Sequence, residues 1–291
     1  MFKNKKILVT GGAGFIGSNL CKRLVTLGVA KVASLDNYFT GSKANHTDGV
    51  NYINGNTDKI EELLKENFDI VFHLGEYSRV EQSYEDIEKV WSFNLKGTYS
   101  VLEYCRKVNA KIVYAGSSTK FSDYGLSKFP SPYAWSKANN TELVKNYGNW
   151  FNLNFAITYF YNVYGNSEIS VGKYATVVGL FSQAYKNSTP LKVVKPGTQK
   201  RFFTHIDDII DALILIGNSG KGDGFGIGSD ESYSIIELAK LFSSDIEFVE
   251  ERKGNRFASQ LKTEKTKQLG WIAKRNLKDY INNIKNSKKS Q

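Results

Sequence analysis

The stretch ILVTGGAGFIG, residues 7–17, decides the fold class of this chain. Its first four residues form a short apolar run, which is typical of a buried parallel strand. Four glycines follow at positions 11, 12, 14 and 17, and apolar residues then recur at helical spacing from Ile16 to Leu27. A strand, a glycine-rich turn and a helix in this order predict the start of a βαβ unit.

The alternation continues outward from this unit. Further strands are predicted at 29–35, 69–74, 111–115 and 154–160, and helices at 60–65, 87–108 and 132–149. This order predicts an α/β fold, a Rossmann-type doubly wound parallel sheet with helices on both faces. The regular order ends after Gly165. We therefore predict a first domain over 1–165, to which 203–228 returns, and a smaller C-terminal α/β substrate domain from 166–202 and 229–291.

Length and composition exclude several classes of protein. The chain has 291 residues, of which 41% are hydrophobic and 23% charged, as in globular proteins with a sizeable core. It has no apolar run of 18 residues and no secretory signal, so we expect a cytoplasmic protein without a membrane partner. Its two cysteines and three histidines show no metal-ligand spacing, so no metal is expected.

The net charge of +10 raises the question of an anionic partner. Half of the excess lies in residues 274–291, which contain six basic residues and one acidic residue, and we interpret this segment as a solvated tail. The other half is spread over the chain without basic blocks interleaved with aromatic residues. Nucleic-acid binding is therefore not predicted.

The glycine loop and Asp36 together predict a dinucleotide site. Glycines let the backbone approach a pyrophosphate, and the N-terminus of the following helix supplies amide donors and partial positive charge. Asp36 lies 19 residues after Gly17, where a carboxylate accepts hydrogen bonds from a ribose diol and repels a 2′-phosphate. Asn37 and Tyr38 follow it, with no adjacent arginine. The predicted cofactor is NAD rather than NADP.

Tyr133 and Lys137 are four residues apart on the helix that Pro132 helps to begin. A phenol is a poor base at neutral pH, but a cation about 4 Å from a phenolate stabilises it by roughly 4 kcal/mol at an effective dielectric of about 20. Such a pair is usually an exposed helix face. Because a strand ending in Ser117 and Ser118 precedes it, we favour a catalytic role, with Tyr133 as general base.

These motifs together resemble the extended short-chain dehydrogenase/reductases of the NAD-dependent nucleotide-sugar epimerase/dehydratase group. The resemblance extends over nearly the whole chain. It rests on GGAGFIG at 11–17, LDN at 35–37, VFHLG at 71–75, NLKGT at 94–98, AGSS at 115–118, YAWSK at 133–137, YNVYG at 161–165, KRFFTHIDD at 200–208 and FGIGS at 225–229. It implies a nucleotide-diphosphate sugar as substrate and a homodimer formed through the helices at 87–108 and 133–149.

The resemblance also implies residue roles. Tyr133 would take a proton from a sugar hydroxyl while NAD takes the hydride, Lys137 would hold the nicotinamide ribose, and Ser117 would bond the sugar oxygen. The implied cofactor-binding residues are Gly11, Gly14, Phe15, Ile16, Gly17, Asp36, Asn37, Asn56, Thr57, Leu74, Gly75, Glu76, Asn94, Tyr133, Lys137 and Tyr161. The implied substrate-binding residues are Ser117, Ser118, Arg79, Asn162, Arg201 and Arg252. A structural hydrogen bond is an equal alternative for Asn94, and a plain surface charge is an alternative for Arg201 and Arg252.

Departures from the family pattern bear on the reaction. An Asp-Glu pair follows the Ser/Thr position in the sugar-nucleotide 4,6-dehydratases, but Ser118 and Thr119 stand there in this chain, so dehydration is not expected. Glu76 replaces a common alanine. Its carboxylate would stabilise the oxidised nicotinamide ring, bond a substrate hydroxyl, or lie exposed at the surface. Arg79 stands where a histidine is common.

The sequence thus predicts an NAD-dependent enzyme that oxidises a nucleotide-linked sugar at its 4-position. The nearest resemblance is to enzymes that oxidise GDP-heptose in the synthesis of bacterial capsules. A 4-epimerase similar to UDP-glucose 4-epimerase is the alternative. An NAD-binding regulator without chemistry is a remote one, because a pure binder has no need for the intact set of Ser117, Tyr133 and Lys137.

Overall fold

A computed structural model describes residues 2–121, 131–250 and 260–289. Its strands are β1 Lys6–Thr10, β2 Lys31–Asp36, β3 Val50–Asn54, β4 Ile70–His73, β5 Lys111–Ser117, β6 Phe155–Phe160, β7 Val163–Tyr164, β8 Leu191–Val194, β9 Lys200–Phe202, β10 Thr204–His205, β11 Gly222–Ile227, β12 Ser232–Ser234 and β13 Ile246–Val249. Its α-helices are α1 Phe15–Thr26, α2 Ile60–Leu63, α3 Ile87–Val90, α4 Gly97–Val108, α5 Pro132–Phe151, α6 Val177–Lys186, α7 Ile206–Ser219, α8 Ile235–Phe242, α9 Glu264–Gln268 and α10 Leu277–Lys289.

A seven-stranded sheet forms the centre of the fold, in the order β11-β6-β5-β4-β1-β2-β3. All of its neighbouring strands pair in parallel. The order reverses at β1, which lies between β2 and β4, so a crevice forms where the connections leave in opposite directions. The predicted Rossmann-type α/β fold is confirmed, and the carboxyl edge near β1 and β4 is where a ligand binds in such sheets.

Helices cover both faces of this sheet, because its strands are apolar on both sides. On one face α1 and α7 pack through residues such as Leu24 and Leu213 in a core that includes Phe72. On the other face α4 and α5 pack through residues such as Leu102 and Val144. No helix in the described ranges is both long and apolar enough to cross a membrane.

The C-terminal part forms a separate core. Residues Phe181, Leu238 and Phe242 pack together there, beside the short parallel pair of β8 and β13. Helix α7 and strand β11 lie with the central sheet instead. The division of the chain into two domains at 165/166 stays a prediction.

One expectation about a single element is wrong, and a second, the helix over 87–108, is confirmed with one irregularity. In its described part, 274–289, the basic C-terminal segment is not a solvated tail, because α10 buries Leu277 and Ile281 in the C-terminal core. Its apolar residues recur at helical spacing, a signal that the basic charge obscured. The predicted helix over 87–108 is interrupted by a π-helical turn, Trp91–Lys96, which carries the buried Asn94.

Candidate active site

A cleft of about 430 Å³ opens at the carboxyl edge of the central sheet. It brings together most of the residues that the sequence singled out, from both the cofactor and the substrate sets. These are Gly11, Gly14, Phe15, Ile16, Gly17, Asp36, Asn37, Thr57, Leu74, Gly75, Glu76, Tyr133 and Lys137 from the first set, and Arg79, Ser117, Ser118 and Asn162 from the second. Segments that are far apart in the chain thus share one cleft, as the strand order requires.

The glycine loop forms one end of the cleft, and its glycines are required by space. Gly11 has φ +74°, and a Cβ there would lie 2.8 Å from the Cα of Gly75. A Cβ on Gly17 would lie 2.1 Å from the carbonyl oxygen of Gly11. The loop therefore folds tightly between β1 and α1 and presents the backbone of the helix N-terminus to the cleft. This cradle fits the pyrophosphate of NAD.

Asp36 is fixed at the end of β2 beside that loop. Its carboxylate accepts hydrogen bonds from the backbone N–H of Ala13 at 2.9 Å and of Tyr38 at 2.7 Å. Burial raises the pKa of Asp36 above its ordinary value, and these backbone hydrogen bonds oppose the rise. The carboxylate is thus held in place with lone pairs left for a ribose diol, which fits NAD.

Three hydroxyl groups meet at the other end of the cleft. Tyr133 donates from its phenol to Ser117 Oγ at 3.1 Å, and Thr119 Oγ1 donates to the same oxygen at 2.9 Å. The backbone N–H of Thr119 also points to Ser117 Oγ, at 3.2 Å. Because the Ser117 oxygen already accepts these bonds, its own hydrogen is free to point to another acceptor. An oxygen atom of a bound ligand can fill that role.

Helix α5 positions Tyr133 and Lys137 because its start is well defined. Ser131 caps it by accepting a hydrogen bond from the backbone N–H of Ala134 at 3.1 Å, and Pro132 occupies the first turn. Tyr133 is thereby placed one turn before Lys137, with both side chains towards the cleft.

Lys137 forms an ion pair with Glu76. The Lys137 side chain is 6% exposed and that of Glu76 is 3% exposed. The ammonium donates to Glu76 Oε2 and to the carbonyl oxygen of Ala115, which leaves one of its three N–H groups. An exposed position for Glu76, one of the alternatives from the sequence, is therefore wrong.

The second oxygen of Glu76 is also engaged by the protein. Its Oε1 accepts from Thr98 Oγ1 at 2.9 Å, from Asn140 Nδ2 at 2.9 Å and from the Tyr114 phenol at 3.2 Å. Burial raises the pKa of Tyr114 well above its ordinary value, and the Glu76 charge adds to the rise, so this phenol stays protonated. Glu76 is thus held by four side chains from three other elements.

His73 extends this network to β1. It is fully buried, with Nδ1 at 2.7 Å from Thr10 Oγ1 and Nε2 at 3.0 Å from Thr98 Oγ1. Because Thr98 gives its hydrogen to Glu76, His73 donates from Nε2 and accepts at Nδ1. Burial lowers the pKa of His73 to about 4, so the ring is neutral at physiological pH.

Four of the predicted site residues that the structure describes are not among those that line the cleft, and Arg252 lies outside the described residues. Asn94 accepts from the Tyr77 N–H at 2.7 Å and donates to Ser136 Oγ at 2.9 Å, which is the structural role named as its alternative. The other three form bonds of their own: the Tyr161 phenol donates to the Gln260 carbonyl oxygen, Asn56 accepts from Asn37, and Arg201 donates to the Lys200 carbonyl oxygen.

The structure adds an aromatic wall that the sequence did not indicate. Phe39 and Phe93 line the cleft and contact each other at 5.4 Å between ring centroids. Phe39 also contacts Tyr174 at 5.1 Å, and Arg79 donates to the Tyr174 carbonyl oxygen at 2.8 Å and 2.6 Å. No spacing in the sequence predicts this wall, because it joins segments that are far apart in the chain.

Comparisons with known proteins agree with this geometry. Residues 7–228 match the sequence model of a family described as "NAD dependent epimerase/dehydratase family". The putative UDP-glucose 4-epimerase of Methanocaldococcus jannaschii is 29% identical, over 96% of this chain and 97% of that protein. The UDP-N-acetyl-alpha-D-glucosaminuronate decarboxylase of Bacillus cytotoxicus is 30% identical, over 81% and 78%. The crystal structure of the UDP-glucose 4-epimerase of Thermus thermophilus in complex with NAD is 26% identical, covers 95% of this chain and 96% of that chain, and superposes with a TM-score of 0.86.

Proposed function

Because the chain belongs to the NAD-dependent epimerase/dehydratase family, we propose that it oxidises the 4-hydroxyl of a sugar carried on a nucleoside diphosphate. The chain is an enzyme that uses NAD, and its chemistry is that of nucleotide sugars. The observation that carries the proposal is the convergence of Ser117, Tyr133 and Lys137 in one cleft with the glycine loop. When bound, NAD supplies the hydride acceptor.

The residues of the chain divide the remaining work. The free hydrogen of Ser117 bonds the sugar oxygen and orients it. In its phenolate form, Tyr133, which is within hydrogen-bond distance of Ser117, accepts the proton of the sugar hydroxyl and becomes the neutral phenol. The remaining N–H of Lys137 bonds the ribose next to the reacting ring, and the aromatic wall of Phe39 and Phe93 limits the access of water.

The surroundings of Ser117 support oxidation without elimination of water. Elimination needs an acid and a base beside the sugar. The two positions after Ser117 are neutral hydroxyls, and Thr119 is bonded to Ser117 itself. Among the described residues that line the cleft, the carboxylates are Asp36 and Glu76. Asp36 belongs to the ribose end, and Glu76 is engaged by Lys137.

The more specific proposal is that the substrate is GDP-heptose and that the net reaction oxidises it to the 4-keto form. It rests on the sequence resemblance alone. The relatives named above are UDP-sugar epimerases and decarboxylases, so UDP-sugars form the second arm of a substrate panel. Mass spectrometry of the product separates the reactions. A loss of two hydrogens means net oxidation, and an isobaric product means epimerisation.

Tyr133→Phe tests the proposed chemistry directly. We expect turnover to fall by about 10²- to 10⁴-fold, because the proton acceptor is removed, while NAD stays bound. The matched control is Tyr147→Phe on the same helix, whose phenol donates to Glu103 at 2.8 Å, away from the cleft. Full activity of Tyr133→Phe would contradict the assignment.

We also propose a homodimer, as the family resemblance implies. The faces of α4 and α5 expose large aromatic side chains, with Tyr99 at 53% and Trp150 at 61% exposure. Trp91, in the helical turn before α4, and Trp135 of α5 stack with their ring centroids 5.0 Å apart. We expect Tyr99→Glu to convert a dimer to a monomer in light scattering, and Leu27→Glu, on the exposed end of α1, to leave the mass unchanged. A monomeric wild-type chain would contradict the proposal.

A further inference from the structure

The pairing of Glu76 with Lys137 determines the net charge of the catalytic wall, the side of the cleft that Lys137 and Tyr133 form. The pair is buried. Lys137 also donates to the Ala115 carbonyl oxygen and keeps one N–H, and Glu76 accepts from Thr98, Asn140 and Tyr114. The carboxylate therefore has little capacity left for a substrate hydroxyl, which was one of the alternatives from the sequence. Its principal electrostatic effect is to oppose the charge of Lys137.

The other titratable groups that face this pair leave its balance unchanged. His73 is neutral because burial lowers its pKa to about 4. Tyr114 is neutral because burial raises its pKa. Tyr133 bonds to Ser117, and the Arg79 guanidinium donates to the Tyr174 carbonyl oxygen, outside the hydrogen bonds of the pair. The net charge of the pair is therefore zero.

This balance matters because the nicotinamide ring carries a positive charge when oxidised and none when reduced. An unpaired lysine beside the ring disfavours its oxidised form by charge repulsion, and it has no such effect on the reduced form. A lysine paired with a buried carboxylate has a much smaller effect. The state of the pair therefore influences which form of the cofactor the site prefers.

We propose that Glu76 is a positioning residue that cancels the charge of Lys137, so that the site prefers NAD to NADH more than a site with an unpaired lysine would. This inference rests on the proposed function, because it assigns the nicotinamide to the wall formed by Lys137 and Tyr133. It has a consequence for the reaction. A lower relative affinity for NADH favours its release after each oxidation, which suits a net dehydrogenase, whereas an epimerase must retain NADH to complete its cycle.

The test measures the dissociation constants of NAD and NADH for the full chain, by tryptophan quenching and NADH fluorescence, without any sugar substrate. Glu76→Gln keeps the size of the side chain but removes its charge. We expect the ratio of the two affinities to move towards NADH by about tenfold, the effect of one partly screened charge at an effective dielectric of about 20. The matched control is Glu142→Gln, an exposed carboxylate on the same helix as Lys137 that pairs with Lys145, and it leaves the ratio unchanged.

Two further variants keep the test decisive if Glu76→Gln fails to fold. Lys137→Met leaves the carboxylate unpaired, and we expect the ratio to move in the opposite direction, towards NAD. The double variant Glu76→Gln/Lys137→Met removes both charges. Both affinities then fall because the ribose contact is lost, but their ratio returns to within about threefold of the wild type, since the net charge is again zero.

The results distinguish this inference from the proposed function. Equal weakening of NAD and NADH in Glu76→Gln, or an unchanged ratio in Lys137→Met, would overturn the inference and leave Glu76 a structural residue. A shifted ratio in a chain that turns over no sugar nucleotide would support the charge pairing and contradict the proposed reaction.

Discussion

The two ends of the cleft are built in different ways. At the pyrophosphate end, the contiguous residues 11–17 present backbone to the ligand, and their function depends on the absence of side chains. At the catalytic end, Lys137 meets a carboxylate 61 residues away, and Tyr133 meets a serine 16 residues away. At that end, function depends on side chains that form ion pairs and hydrogen bonds with one another. We therefore expect substitutions at the pyrophosphate end to cause large losses of NAD affinity. Substitutions at the catalytic end are expected to have effects that differ in size from residue to residue.

The largest expected effect on cofactor binding is at the pyrophosphate end. In Gly17→Ala, the new Cβ would lie 2.1 Å from the backbone oxygen of Gly11, which cannot move away as a flexible side chain would. We expect the free energy of unfolding to fall by about 3 kcal/mol, the upper end of the usual cost of overpacking. We expect the NAD affinity measured by calorimetry to fall by at least about 100-fold.

Gly28→Asn at the other end of α1 is the control for this substitution. Its left-handed φ of +66° tolerates asparagine, and nothing lies within 4 Å of the added atom. Near-normal NAD binding by Gly17→Ala would break the comparison between the two ends.

An intermediate effect is expected from the buried histidine beneath the catalytic end. The pKa of His73 is about 4 in the folded protein and about 6.5 in the unfolded chain, so below pH 6.5 the unfolded chain binds a proton that the folded protein does not. Stability therefore falls with decreasing pH over this window, by about 2 kcal/mol between pH 7 and pH 5. Urea unfolding at the two pH values measures this.

Replacement of the histidine isolates its contribution. We expect His73→Gln to reduce the difference between pH 7 and pH 5 by the same amount, because glutamine does not titrate. The matched control is His46→Gln, which removes a histidine outside the network. The prediction is wrong if His73→Gln keeps the full pH dependence of the wild type.

The smallest effect is expected at Thr119, whose hydroxyl donates to Ser117, the proposed catalytic serine. Thr119→Val removes the Oγ1 donor to Ser117, but the backbone N–H remains. We expect kcat to fall about fivefold, equivalent to about 1 kcal/mol for one hydrogen bond. Thr141→Val is the control, since its hydroxyl donates to a carbonyl oxygen of its own helix. A fall in kcat as large as that expected for Tyr133→Phe would contradict the expectation that effects at the catalytic end differ in size.

The sequence predicted much of the pyrophosphate end because its signals are local. Glycines that avoid a clash, a strand before them and Asp36 after the next strand all follow from spacing along the chain. The fold class and NAD as cofactor are confirmed on that basis. Asn94 and Tyr161 show the limit of such reasoning. They stand in the right motifs, but their side chains bond Tyr77 and the segment at 260–262 instead of lining the cleft.

The sequence by itself determined the class of fold, and it predicted the cofactor loop and the proposed catalytic set of Ser117, Tyr133 and Lys137. Only the tertiary structure decided what Glu76 does, because its alternatives differed in burial and in partners. A hydrogen bond forms only within about 3 Å, and which side chains come that close depends on the order of the strands. In this chain β4 lies between β1 and β5, and that order brings Glu76 to Lys137.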